Sequence, residues 1–310
     1  VENEPRRIAG RYRILAKIGS GGMGTVWRAF DETLHRYVAI KELRLLDSFP
    51  DDERARMTAR AMAEARSAGR VHHPNIVTVH DVVSDDDGRP CIVMQLVEGQ
   101  TLADTVSTEG RLTPARAAEV GLALLEALST AHGEGIVHRD VKPSNVLLSS
   151  SGGVLLSDFS IASAAGTASL TQTGALVGTP GYLAPERSTG VSGPASDLFG
   201  LGATLYYAVE GVGPFDSPDP VAALLAAVSR PHPVPHHAGP LRPILDGLLI
   251  KNPDRRWRAD QTRSALRAAL ASSARTEASA RTKESARTGD PAWIVGSESS
   301  DVAGRGTGGS

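Results

Sequence analysis

Residues His138–Asn145 read HRDVKPSN, and this octapeptide decides how the rest of the chain is read. It sets a carboxylate (Asp140), an ammonium group (Lys142) and an amide (Asn145) in one short loop. Apolar Ile136-Val137 precede it and Val146-Leu147-Leu148 follow. Asp158-Phe159-Ser160 comes next in the chain, and upstream lie GSGGMG (Gly19, Ser20, Gly21, Gly22, Met23, Gly24) and VAIK at Val38–Lys41. Together these segments supply a glycine loop able to cradle phosphates, a lysine, a candidate base and two candidate magnesium ligands, Asn145 and Asp158. A phosphoryl-transfer site needs those parts and little else, because its catalysis is mostly positioning and charge neutralisation.

The surrounding pattern supplies the scaffold. Tyr12, Ile14, Ala16 and Ile18 alternate, which predicts a strand over Arg11–Ile18, followed by strands at Thr25–Phe30 and Tyr37–Leu43. A helix is expected from Pro50 through Arg70, ended by His73-Pro74-Asn75, and then strands at Ile76–Val83 and Cys91–Val97 across the acidic turn Asp85–Gly88. Thr113-Pro114 opens an apolar helix that closes after His132 at Gly133 and Gly135. Short strands are expected around Val137, Val146–Leu148 and Val154–Leu156, then helices to about Leu270. Strands first and helices later make an α+β chain with a small sheet-rich lobe and a larger helical lobe.

Gly19, Gly21 and Gly24 form GxGxxG, which alone is weak because dinucleotide-binding folds share it. Here the glycines lie between two strands, and VAIK follows where an acidic ribose partner would be expected. A glycine hairpin lets backbone N–H groups approach phosphates without Cβ obstruction.

The order and spacing of these motifs resemble the eukaryotic-like bacterial Ser/Thr protein kinases, and within them the actinobacterial PknB-like branch. The resemblance covers about Ile8–Leu270. It implies the two-lobed protein-kinase fold, with an N-lobe at 8–98, a C-lobe at 99–270 and a polar tail at 271–310. It further implies that Asp140 accepts or orients the proton of a substrate hydroxyl, and that Lys142 neutralises the transferring phosphoryl group. Asn145 and Asp158 would hold Mg²⁺, or Mn²⁺ in its place. Lys41 would hold the α/β-phosphates of ATP and pair with Glu64 in the active state. Val26, Ala39 and Leu147 would enclose adenine beside Met94 and the hinge Gln95-Leu96-Val97. His138 would be a structural histidine of the lobe.

Further positions follow from the same resemblance. Thr179 would lie in the substrate loop. Glu186 would pair with Arg256 as a buried salt bridge, and Asp197 would hold the catalytic-loop backbone. Thr171 and Thr173 would be autophosphorylation sites whose phosphate orders the loop against Arg139. Ser160 stands where the family has glycine. It restricts a hinge that glycine leaves free, so a pseudokinase or nucleotide-binding scaffold with a locked hinge is the alternative reading.

Bulk properties narrow the partners. A net charge of −2 argues against nucleic acid as an obligate partner and leaves proteins bearing Ser/Thr acceptors. The lone Cys91 lies in an apolar run and fits a reducing, cytoplasmic compartment. No stretch is apolar enough to span a bilayer, so membrane attachment would need a segment outside this sequence. The resemblance also allows a homodimer through the N-lobes. His232, His236 and His237 lie in a Pro-rich loop with no completing ligand nearby. Beyond Leu270, SART recurs at Ser273, Ser279 and Ser285, and its lack of an apolar face predicts a disordered linker.

Overall fold

The computed structural model describes residues 6–21, 24–43, 51–159 and 180–287. Gly22, Met23, Ser160, Thr171, Thr173 and Thr179 lie outside the described residues, as does the tail beyond Arg287. Residues Val1–Ser273 form one compact unit.

That unit begins with β1 (Arg7–Ile8), β2 (Tyr12–Gly21), β3 (Gly24–Asp31), β4 (Arg36–Leu43), α1 (Asp51–Ala68), β5 (Val79–Ser84) and β6 (Pro90–Gln95). The six strands make one antiparallel sheet in the order β1-β2-β3-β4-β6-β5. Ile8, Tyr12, Ala29, Val38, Ile40 and Val93 bury one face. On the other, Ala61 and Ala65 of α1 pack on Leu43 and Ile92. Small alanines let this helix approach the sheet closely. The strand expected from Ile76 starts three positions later, at Val79. Ile76 instead makes a single parallel bridge to Leu156, which ties the sheet to the next lobe.

The second part comprises β7 (Gly99–Thr101), α2 (Leu102–Glu109), α3 (Pro114–Gly133), β8 (Val146–Ser149), β9 (Val154–Leu156), α4 (Pro194–Glu210), α5 (Pro220–Ser229), α6 (Arg242–Leu248) and α7 (Ala259–Arg287). Val137 lies in irregular backbone rather than a strand, within the stretch 136–141 that follows α3. Thr113 caps α3 through Arg116 N, with Pro114 in the first turn. The core joins Leu124, Leu125 and Leu128 of α3 to Phe199, Leu201 and Leu205 of α4 and Leu245 and Leu248 of α6. This is the two-lobed α+β architecture.

Contrary to the disordered linker expected from 271, backbone helix continues to Arg287. The polar repeat lacks an apolar face but is rich in Ala, Arg, Glu and Lys, which are strong helix formers. Continuing an existing helix also avoids the nucleation cost. No helix among the described residues is long and apolar enough to cross a membrane.

One buried pair locks the lower lobe. Arg256, whose side chain is fully buried, donates Nη1 to Glu186 Oε1 at 2.7 Å and Nη2 to Oε2 at 2.9 Å. Its remaining donors reach the carbonyls of Ile250, Ala195 and Lys251. Burial alone would raise the Glu186 pKa, but the bonds from Arg256, from its own backbone and from Ser196 hold it below the ordinary glutamate value. The stabilisation is therefore complete above that ordinary value and is lost as pH falls through the depressed one. Arg256→Ala should cost about 3–5 kcal/mol in denaturant unfolding, since it strands a buried carboxylate. Glu186→Gln should flatten the acid limb of a stability-against-pH profile.

Candidate active site

The loop that carries Asp140 is suspended from α4. Asp197, in the first turn of that helix and almost fully buried, accepts the backbone N–H of His138 at 2.8 Å and of Arg139 at 2.7 Å. His132 Nε2, at the end of α3, lies 2.8 Å from the same carboxylate. Gly200 sits one turn further along α4. A Cβ there would lie 2.8 Å from the Val141 carbonyl oxygen, so glycine is what lets the loop lie against the helix. Within the loop, His138 Nδ1 accepts from Asp140 N at 3.1 Å and Nε2 faces the Ser157 carbonyl at 2.8 Å. That pattern selects the Nε2–H tautomer. The His138 ring also packs edge-on to Phe159, with centroids 4.5 Å apart.

These supports fix the reactive groups. Lys142 Nζ lies 2.7 Å from Asp140 Oδ2, and Asn145 Nδ2 donates to that oxygen at 3.0 Å and to the Asp140 carbonyl at 2.8 Å. Arg139 and Asp158 both take left-handed backbone, at φ 70° and φ 64°. Non-glycine residues rarely adopt it unless their surroundings impose it.

Lys41, buried on β4, comes 2.9 Å from Asp158 Oδ1, within ion-pair range. Burial, the largest single influence, would raise the Asp158 pKa, but Lys41 together with His138 and Lys142 holds the group below its ordinary value. The expected Lys41–Glu64 pair is not the one formed. Arg139 Nη1 reaches Glu64 Oε1 at 3.4 Å, while Lys41 takes the nearer carboxylate. Arg139, expected to await a phosphate, is thus engaged by α1.

Above the loop, Ala39 and Met94 are buried with Val77 and Leu155, and Val26, Val97 and Leu147 pack on them. Gln95 donates its backbone N–H to the Thr78 carbonyl at 2.8 Å. Every residue assigned to an adenine pocket therefore belongs to, or adjoins, one apolar cluster. Sequence reasoning missed Val77 and Leu155. Their only signal was position, shortly after His73-Pro74 and shortly before Asp158. His132 and Arg187 were missed too. Arg187 donates to the Arg139 carbonyl from the segment after Glu186. Nothing in the local pattern marks either one.

The glycine loop divides into two roles. Gly24, at φ 146°, pairs with Leu43, and a Cβ there would lie 2.0 Å from the Glu42 carbonyl oxygen. A Cβ on Gly21 would meet nothing within 4 Å among the described residues. Gly24→Ala should lower unfolding stability by about 1–3 kcal/mol through backbone overlap. Gly21→Ala should leave the thermal midpoint within error of the parent.

Comparison with known proteins agrees with this geometry. The protein kinase domain family matches residues 12–265. Serine/threonine-protein kinase PknA of Mycobacterium tuberculosis is 39% identical over 259 residues, covering 81% of this chain and 59% of that protein. PknB of the same organism is 40% identical over 279 residues, covering 86% and 43%. A probable serine/threonine-protein kinase of Streptomyces coelicolor is 39% identical over 279 residues, covering 86% and 41%. The chain thus spans between about two fifths and three fifths of these relatives' length. With the family matched across nearly the whole compact unit, the chain belongs to the protein kinase domain family.

Proposed function

We propose that this chain is an ATP-dependent Ser/Thr protein kinase that also phosphorylates its own activation segment at Thr171 and Thr173. The observation that carries this reading is the Asp140 carboxylate, held by Lys142 and Asn145 on a loop suspended from Asp197. The Lys142 and Asn145 contacts both fall on Oδ2, so we assign the substrate hydroxyl proton to Oδ1. The hydroxyl oxygen bonds to the γ-phosphorus, the bond to the β,γ-bridging oxygen breaks, and ADP leaves. Lys142 lies beside the carboxylate and would balance charge on the phosphoryl group. Lys41 would hold the α/β-phosphates, and the cluster of Ala39, Met94, Val26, Val97 and Leu147 would hold adenine.

A hard divalent cation suits the donor set, which we assign as Mg²⁺. The Asp158 carboxylate is kept ionised beside Lys41. The Asn145 amide nitrogen is committed to Asp140, leaving its amide oxygen as the ligand atom. When bound, the cation supplies charge neutralisation on the phosphates.

Substrates would be proteins, seated at the Thr179–Glu186 segment. We place the activity in the cytoplasm, where ATP is supplied and Cys91 stays reduced. Cys91 is buried, which pushes its pKa up to about 12 and makes it inert. The pseudokinase alternative has no missing reactive residue to support it.

Incubation with Mg²⁺ and ATP, followed by mass-spectrometric site mapping, tests the reading. Phosphate should appear on Thr171 or Thr173 in the parent, be absent in Asp140→Asn, and be abolished by a chelator. Silence in the parent with nucleotide still bound would overturn it in favour of the scaffold.

A further inference from the structure

We propose that Arg187 is a positioning residue for phosphoryl transfer, clamping the Arg139 carbonyl and so orienting the peptide that carries Asp140. The inference rests on the kinase reading above. Arg139 occupies left-handed backbone at φ 70°, a conformation that few side chain-bearing residues adopt. Its N–H end is held by Asp197. Its C=O end is held from a different element by Arg187 Nη1. That carbonyl belongs to the peptide unit whose nitrogen is Asp140 N, so both ends of the turn before the base are fixed by charged side chains.

The placement of Arg187 is itself built. It lies in a short 3-10 turn, Pro185–Thr189, closed by Gly190 in left-handed backbone at φ 82°. Its neighbour Glu186 is locked by the doubly bonded Arg256. The segment that follows the substrate loop is therefore rigid where it delivers a guanidinium to the catalytic loop. The charges facing that guanidinium are Asp140, Asp197, Arg139 and Glu186. Burial opposes its charge while the three carboxylates favour it. The clamp also joins two functions. A shift of the substrate segment would be transmitted through one side chain to the peptide before Asp140.

Three variants test this: Arg187→Met, which keeps bulk without a donor; Arg187→Gln, a milder change too short to span the gap; and Arg187→Lys, which keeps a long cationic donor. In steady-state peptide phosphorylation, the Met and Gln variants should lose kcat about tenfold, the value of one charge-assisted hydrogen bond. Their KM for ATP should stay within about twofold, because no nucleotide contact is removed. The Lys variant should recover most of the rate. Hydrogen exchange over His138–Val141 should quicken in Met and Gln and return toward the parent in Lys. Parent kcat and parent exchange in both Met and Gln would overturn the inference. So would an equal loss of kcat and ATP affinity in all three. If the parent itself transfers no phosphate, the kinase reading fails on that result alone, and the exchange measurement still decides the clamp.

Discussion

The Asp197 carboxylate is the point on which the site depends. It is almost fully buried at the start of α4, where the helix N-terminus favours negative charge. It accepts two consecutive backbone N–H groups and faces His132. A single acceptor fixed to the most buried helix thereby dictates the path of the loop carrying Asp140, Lys142 and Asn145. The close approach at Gly200 is the steric half of the same constraint: the helix can hold the loop only because no side chain stands between them. Removing the carboxylate would leave buried N–H donors unsatisfied, so the loop has no cheap alternative course.

Charge pairing around that loop is arranged in a chain. Glu64 of α1 faces Arg139, the Arg139 backbone is held at both ends, Asp140 is flanked by Lys142, and Asp158 is flanked by Lys41. Each carboxylate is matched by a cation in a partly desolvated setting, where an unmatched charge costs several kcal/mol (roughly). The pairing has a consequence for α1. Glu64 faces Arg139 and Lys41 faces Asp158, so bringing Lys41 to Glu64 requires Lys41 to leave Asp158.

Much of this was readable beforehand, for identifiable reasons. The strand alternation from Tyr12, the Thr113-Pro114 cap and the octapeptide at His138 are local signals, and the elements formed where local chemistry placed them. The apolar residues assigned to adenine, from Val26 to Leu147, also gather in one cluster. What was not readable was partner choice. Lys41 and Glu64 both carry the right charge, but which anion meets which cation depends on the position of α1 and the left-handed turn at Asp158. Arg187 and His132 act across the fold on atoms far along the chain, and no short motif records that. The stretch from Leu270 to Arg287 departs from the expected disorder for a different reason. Lack of a buried face argues against packing, but helix propensity and an existing helix end suffice to carry the backbone to Arg287.

The most direct measurement is single-turnover phosphoryl transfer by Asp197→Asn with nucleotide affinity measured in parallel. Asparagine keeps the shape but exchanges one acceptor oxygen for a donor facing a backbone N–H. If suspension of the loop from Asp197 governs the site, the transfer rate should fall about tenfold or more while nucleotide affinity moves less than about twofold. An unchanged rate, or a loss of affinity equal to the loss of rate, would contradict it.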